Sequence, residues 1–97
     1  MVRPVLVSPQ ARIDLVVAAE WYHEQDPDAN IPIQLFEEFD SVIAIIREQP
    51  EAFPLFEGPV RRAILTTFPY GIYYTVEPER ITVLYFIAMA QEQRAGH

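Results

Sequence analysis

The sequence predicts an α+β, two-layer domain: an N-terminal strand and an antiparallel helical hairpin packed on a three- to four-stranded antiparallel sheet, in the order β-α-α-β-β-β. Three observations predict it. Between Arg61 and Ala90, three runs of β-branched and aromatic residues are separated by short breaks containing Pro69 and Pro78, the pattern of an antiparallel meander. Upstream, two stretches of helical period are joined by Asp26-Pro27-Asp28-Ala29-Asn30, too short a link for anything but a hairpin. Finally, 97 residues suffice for one modest core and not two, so residues 1–97 are read as a single domain.

Taken in order, Val2 to Val7 is β-rich, and Pro4 within it suits an edge strand. Ser8-Pro9 starts a helix: the serine caps free amides and the proline fits the first helical position. That helix is expected to reach about Gln25. Ala11, Leu15, Ala18 and Tyr22 form one stripe, with Ala19 beside them, and Ile13, Val17 and Trp21 form a second on another side. One stripe closes a two-layer domain. The second is either a contact with the neighbouring helix, surplus apolar surface, or a surface for a partner.

Asp28 or Asn30 is placed to cap the second helix, and Pro32 falls in its first turn. Leu35, Phe36, Phe39, Val42, Ile43 and Ile46 are expected inward, with Glu37, Glu38, Asp40 and Arg47 outward, until about Gln49 before Pro50. Glu51 to Pro59 reads as an irregular loop. In the meander, strict alternation puts Ile81, Val83, Tyr85, Ile87 and Met89 on one face and Thr82, Leu84, Phe86, Ala88 and Ala90 on the other. A strand apolar on both sides belongs in the middle of the sheet.

Composition bounds function. The formal net charge is −7 and every cation is an arginine, so bulk attraction to nucleic acid is not expected, although a focused arginine site is compatible with it. Cysteine is absent, which removes disulfides and thiolate metal sites and suits a cytoplasmic protein. The longest apolar run, Val83 to Ala90, is far below the roughly 20 residues of a membrane span. There is no signal-peptide pattern in Met1-Val2-Arg3-Pro4. His23, His97 and the scattered carboxylates lack metal-ligand spacing, and neither metal nor cofactor is expected.

The order of elements and the words at their joints resemble the ParE/RelE superfamily of toxins from type II toxin–antitoxin systems. The matching pieces are Ala11-x-x-Asp14-Leu15 with Trp21-Tyr22, Ile45-x-x-x-x-Pro50, Arg61-Arg62, Phe68-Pro69-Tyr70-x-Ile72-x-Tyr74, and Ile87-Ala88 followed by Arg94. They span nearly the whole chain, and their order is more specific than any one of them. The turn Phe68-Pro69-Tyr70-x-Ile72-x-Tyr74 resembles the ParE branch, whose members poison DNA gyrase and serve in plasmid stabilization. The RelE branch instead cleaves messenger RNA on the ribosome.

The resemblance implies a cognate antitoxin as partner, with Ile13, Val17 and Trp21 as its docking stripe. For an acidic toxin, the antitoxin segment should be rich in Arg or Lys. Arg61, Arg62, Arg80, Gln91 and Arg94 are the candidates for contacting the target. Because adjacent strand residues face opposite ways, one of Arg61 and Arg62 should lie on the helix-covered side with an acidic partner. A nuclease would have to use Arg61, Arg62, Tyr70 and Arg94. Gln91, where many relatives carry histidine, cannot exchange a proton near neutrality, and arginine is a poor base. Tyr73, Tyr74 and Tyr85 are further candidate acids, although packing is the commoner role for strand tyrosines. The alternatives are a RelE-like ribosome-dependent endonuclease, or a degenerate homologue that binds antitoxin without toxicity.

Overall fold

A computed structural model describes residues 2–90 and places the elements in the expected order. Strand β1 (Val5–Val7) leads into helix α1 (Pro9–Gln25), which is followed by helix α2 (Ile31–Glu48). Four strands follow: β2 (Leu55–Glu57), β3 (Val60–Ile64), β4 (Tyr70–Val76) and β5 (Ile81–Ala88). The sheet order is β1-β5-β4-β3-β2, so β5 is an interior strand and β1 an edge.

Ser8 caps α1 through its hydroxyl, which accepts from the Ala11 amide at 3.1 Å, and Pro9 occupies the first turn. Asn30 is the cap residue of α2 but makes no side-chain capping bond. The second helix ends at Glu48, where the Gln49 amide reaches the Ile45 carbonyl at 2.7 Å and Pro50 prevents continuation. Two features differ from the expected sheet. Strand β1 pairs parallel to β5, Val5 opposite Ile81, because the helical hairpin carries the chain back over the sheet. A fifth strand, β2, forms within the segment expected to be irregular. It is three residues long, has no buried residue and is bulged against β3, so no alternating apolar pattern marks it. Gly58, at φ 54°, turns the chain between β2 and β3 in a conformation glycine adopts without strain.

The core lies between the hairpin and one sheet face. Helix α2 supplies its bulk, with Leu35, Phe39, Val42, Ile43 and Ile46 buried. Fully burying each such side chain stabilises the fold by about 1.5–3 kcal/mol. Phe39 meets Phe86 edge to face, with centroids 5.4 Å apart. Phe36, expected inward, is exposed, since the buried face of the helix is the stripe of Leu35, Phe39, Val42, Ile43 and Ile46. Helix α1 is built the other way round. Its fully buried residues are alanines, Ala11, Ala18 and Ala19, with Leu15 and Tyr22 packed half-buried beside them.

Strict alternation fails in β5. The register slips between Tyr73 and Tyr74, so Tyr74 opposes Val83 while Tyr73 opposes Tyr85, and Leu84 is the extra residue of a β-bulge. Past the bulge the faces exchange. Ile81, Val83 and Phe86 join the helix-side core, while Tyr85 stacks on Tyr73 at 4.8 Å on the other face.

Candidate partner-binding groove

The bulge also sets the edge of the site. Strand β1 stops at Val7, so beyond Val83 strand β5 keeps β4 on one side and has no paired strand on the other among the described residues. Side chains from α1 and its cap take over. The Ser8 amide donates to the Val83 carbonyl at 3.0 Å, and the Ser8 hydroxyl donates to the Leu84 carbonyl at 2.8 Å. The Phe86 amide donates to Asp14 Oδ2 at 3.0 Å. Asp14, which the sequence offers only as part of a motif, is thus a backbone anchor that pins α1 against β5.

While α1 turns its alanines, Leu15 and Tyr22 towards the core, a second set of large apolar side chains faces out. Ile13 and Val17 are each 57% exposed and Trp21 is 53% exposed, one ridge at four-residue spacing. This ridge walls an open groove of about 900 Å3 whose other side is the end of β5, from Phe86 to Ala88, and the turn residues Pro69 and Tyr70. The Tyr70 ring stacks on Phe86, with centroids 4.9 Å apart and planes 11° apart. Tyr22 meets Phe68 edge to face at 5.3 Å and lies 6.4 Å from Tyr70. Burial raises the pKa of both hydroxyls, and for Tyr70 the nearby Tyr22 adds to it, so both stay protonated near neutrality.

The turn is held from α2. Glu38, expected to face solvent, accepts from the Thr66 hydroxyl at 2.6 Å, the Thr66 amide at 2.9 Å and the Thr67 amide at 3.2 Å. Burial raises its pKa, but the hydrogen bonds from Thr66, Thr67 and Phe68 outweigh this and hold it below the ordinary glutamate value. The Pro69 carbonyl then accepts from the Met89 amide at 2.9 Å, tying the turn to the end of β5. Nothing local in the sequence signals the Glu38 contact, since its partners lie 28 and 29 residues away.

Of the residues singled out from the sequence, Ile13, Val17, Trp21 and Tyr70 converge on this groove. The arginines do not join them. Arg61 lies on the helix-covered face opposite Tyr74, and its Nη1 donates to the Phe53 carbonyl at 2.7 Å, a backbone partner in place of the expected acid. Arg62 points to the other face, its guanidinium 4.8 Å from the centre of the Phe56 ring. Phe56 in turn meets Tyr73 edge to face at 5.2 Å. Arg80 sits in the β4–β5 turn, paired with Glu77 at 3.3 Å. Gln91 and Arg94 lie outside the described residues.

The tyrosines of the sheet are packing residues. Tyr73 is buried, and Tyr74 donates its hydroxyl to the Pro50 carbonyl at 2.7 Å. Burial pushes the Tyr74 pKa up to about 12, against the opposing pull of Arg61.

A parallel edge strand, a helical hairpin and an antiparallel meander ending in an interior strand make up the fold. No protein-family model matches the sequence, and no curated protein matches it. Among solved structures, the chain is similar to one from the chromosomal ParDE TA system of P. aeruginosa, with a TM-score of 0.78 and 14% identity over 90% of this chain and 96% of that one. It is also similar to a chain of the E. coli DinJ-YafQ toxin-antitoxin complex, with a TM-score of 0.63 and 10% identity over 94% of this chain and 97% of that one. At these identities the likeness is one of fold. No helix among the described residues is long and apolar enough to cross a membrane.

Proposed function

We propose that this chain is the toxin of a type II toxin–antitoxin pair, acting in the cytoplasm as a ParE-like inhibitor of DNA gyrase and silenced by a cognate antitoxin. One observation carries the antitoxin half of this reading: α1 turns alanines inward and Ile13, Val17 and Trp21 outward, along a groove large enough for a peptide segment. Such a ridge is costly to leave in water and is the usual mark of a partner surface. Both solved structures named above come from toxin–antitoxin systems, which supports the same partner class.

Action on a protein surface is favoured over phosphodiester cleavage by the fate of the candidate catalytic groups. Arg61 and Arg62 are on opposite faces of the sheet, Arg80 is paired with Glu77, and the Tyr74 hydroxyl is committed to Pro50. Arg61 and Tyr74 are neighbours on the helix-covered face, but each is already committed to a backbone carbonyl. In this reading Arg62, Arg61 and Arg80 contact the target protein, together with Gln91 and Arg94.

Controlled expression in a host without the partner gene tests the proposal. Growth arrest with loss of negative supercoiling and intact transcripts is the expected result. Messenger RNA cut at codon-spaced positions would replace it with the endonuclease reading, and unimpaired growth would mark the chain as a non-toxic homologue.

A further inference from the structure

We propose that Asp14 is a specificity determinant of the groove, selecting a partner segment whose apolar anchors are interrupted by one arginine or lysine seated on the Asp14 carboxylate. The inference rests on reading the groove as the site of the partner. Among the described residues that line it, Asp14 is the one that carries a charge. Its carboxylate oxygens meet neutral donors: Oδ2 accepts from the Phe86 amide, and Oδ1 accepts from Gln10 Nε2 at 2.7 Å. Among the described residues no cation pairs with it, since Arg12 reaches instead for the Val7 carbonyl and Arg80 for Glu77. An ionised carboxylate has about four acceptor positions, so two remain to be used.

Docking changes the energetics of this group. In the free chain water solvates the carboxylate from the groove side. An apolar segment laid along Ile13, Val17 and Trp21 would strip that water away. A neutral occupant would then bury an uncompensated charge, which is strongly disfavoured, whereas a guanidinium or ammonium group compensates it. Selection therefore arises as much from rejecting uncharged segments as from attracting charged ones. The net charge of −7 favours a cationic partner at longer range as well.

The backbone limits how the partner is held. The carbonyls of Val83 and Leu84 and the Phe86 amide are already engaged by Ser8 and Asp14. At these residues the occupant gains no main-chain ladder and is recognised through side chains.

The test uses a displayed library of amphipathic helices in which one position on the apolar face is fully randomised, selected on the intact chain. Binders that lose affinity for Val17→Glu are retained as groove ligands. The expected outcome is enrichment of Arg and Lys at the randomised position. A synthetic peptide carrying Arg there should bind roughly tenfold more tightly than its Gln counterpart, read from the fluorescence of Trp21. With Asp14→Asn, which still offers an oxygen to the Phe86 amide, that preference should shrink to near unity. If Asp14→Asn does not fold, the Arg, Gln and Glu peptides on the unaltered chain decide alone, with Glu expected weakest. Equal affinity for the three peptides, an Arg preference that survives Asp14→Asn, or recovery of no groove binder overturns the proposal. The antitoxin reading fails separately, if no co-expressed partner restores growth to cells that the chain arrests.

Discussion

Changing Glu38 to glutamine keeps the length of the side chain but removes its charge and one acceptor oxygen. The carboxylate holds the Thr66 hydroxyl and the Thr66 and Thr67 amides, and with them the turn that ends the groove at Pro69 and Tyr70. A charge-assisted hydrogen bond contributes about 1.5–3 kcal/mol when shielded, but this carboxylate is reached by water, so the combined loss is placed at about 1–2 kcal/mol. For a domain of this size that lowers Tm by about 5–15 °C. The pH dependence has a definite sign. The folded pKa is depressed, so the contribution is present above the unfolded value and is lost as pH falls through the folded one. Thermal denaturation of both proteins from pH 7 down to pH 3 measures both effects. The variant should be less stable at neutral pH and should lose less stability on acidification. A Tm within about 2 °C of the parent, together with an unchanged acid profile, would refute the latch, because no partial loss of its three donors is that small.

Three other perturbations address the core, the sheet and the groove. Tyr74→Phe removes the bond to the Pro50 carbonyl and should cost about 1–1.5 kcal/mol in urea denaturation. In the parent, the raised Tyr74 pKa of about 12 means stability is full below the ordinary tyrosine value and falls as pH climbs through it towards 12, a loss that Tyr74→Phe should reduce. Gly71→Ala sets a Cβ 3.1 Å from Tyr73 Cε1 and 3.4 Å from Arg62 Cγ, in a packed stack, and should destabilise by about 1–3 kcal/mol on thermal unfolding. Val17→Glu changes an exposed position, so stability should shift by no more than about 0.5 kcal/mol while co-purification with the antitoxin is lost.

Much of the fold was legible because its signals are local. Ser8-Pro9, Pro32 and Pro50 mark helix ends through capping and missing amides, and the double-sided apolarity of β5 placed it inside the sheet. The ridge of Ile13, Val17 and Trp21 was legible as a second stripe, and its exposure in the structure removes the reading as a helix contact. What escaped depends on pairs distant in sequence. The bulge at Leu84 is set by register against Tyr73 and Tyr74 and by the Ser8 hydroxyl, and it reverses the facing of Tyr85 and Phe86. Glu38 looks like any solvated helix acid until the Thr66–Thr67 turn is brought beneath it. Strand β2 escaped because an edge strand with no buried residue carries no periodic signal.

The interior position of β5 has a consequence for biosynthesis. It is the last strand of the sheet to leave the ribosome, yet β1, the first, has no hydrogen-bonded neighbour other than β5. A nascent chain stalled before Ile81 would leave β1 and β4 each exposing an unmatched edge, and Phe39 without the ring it packs against. Assembly of the sheet therefore waits on the emergence of β5, and the groove that β5 helps to line cannot form before it.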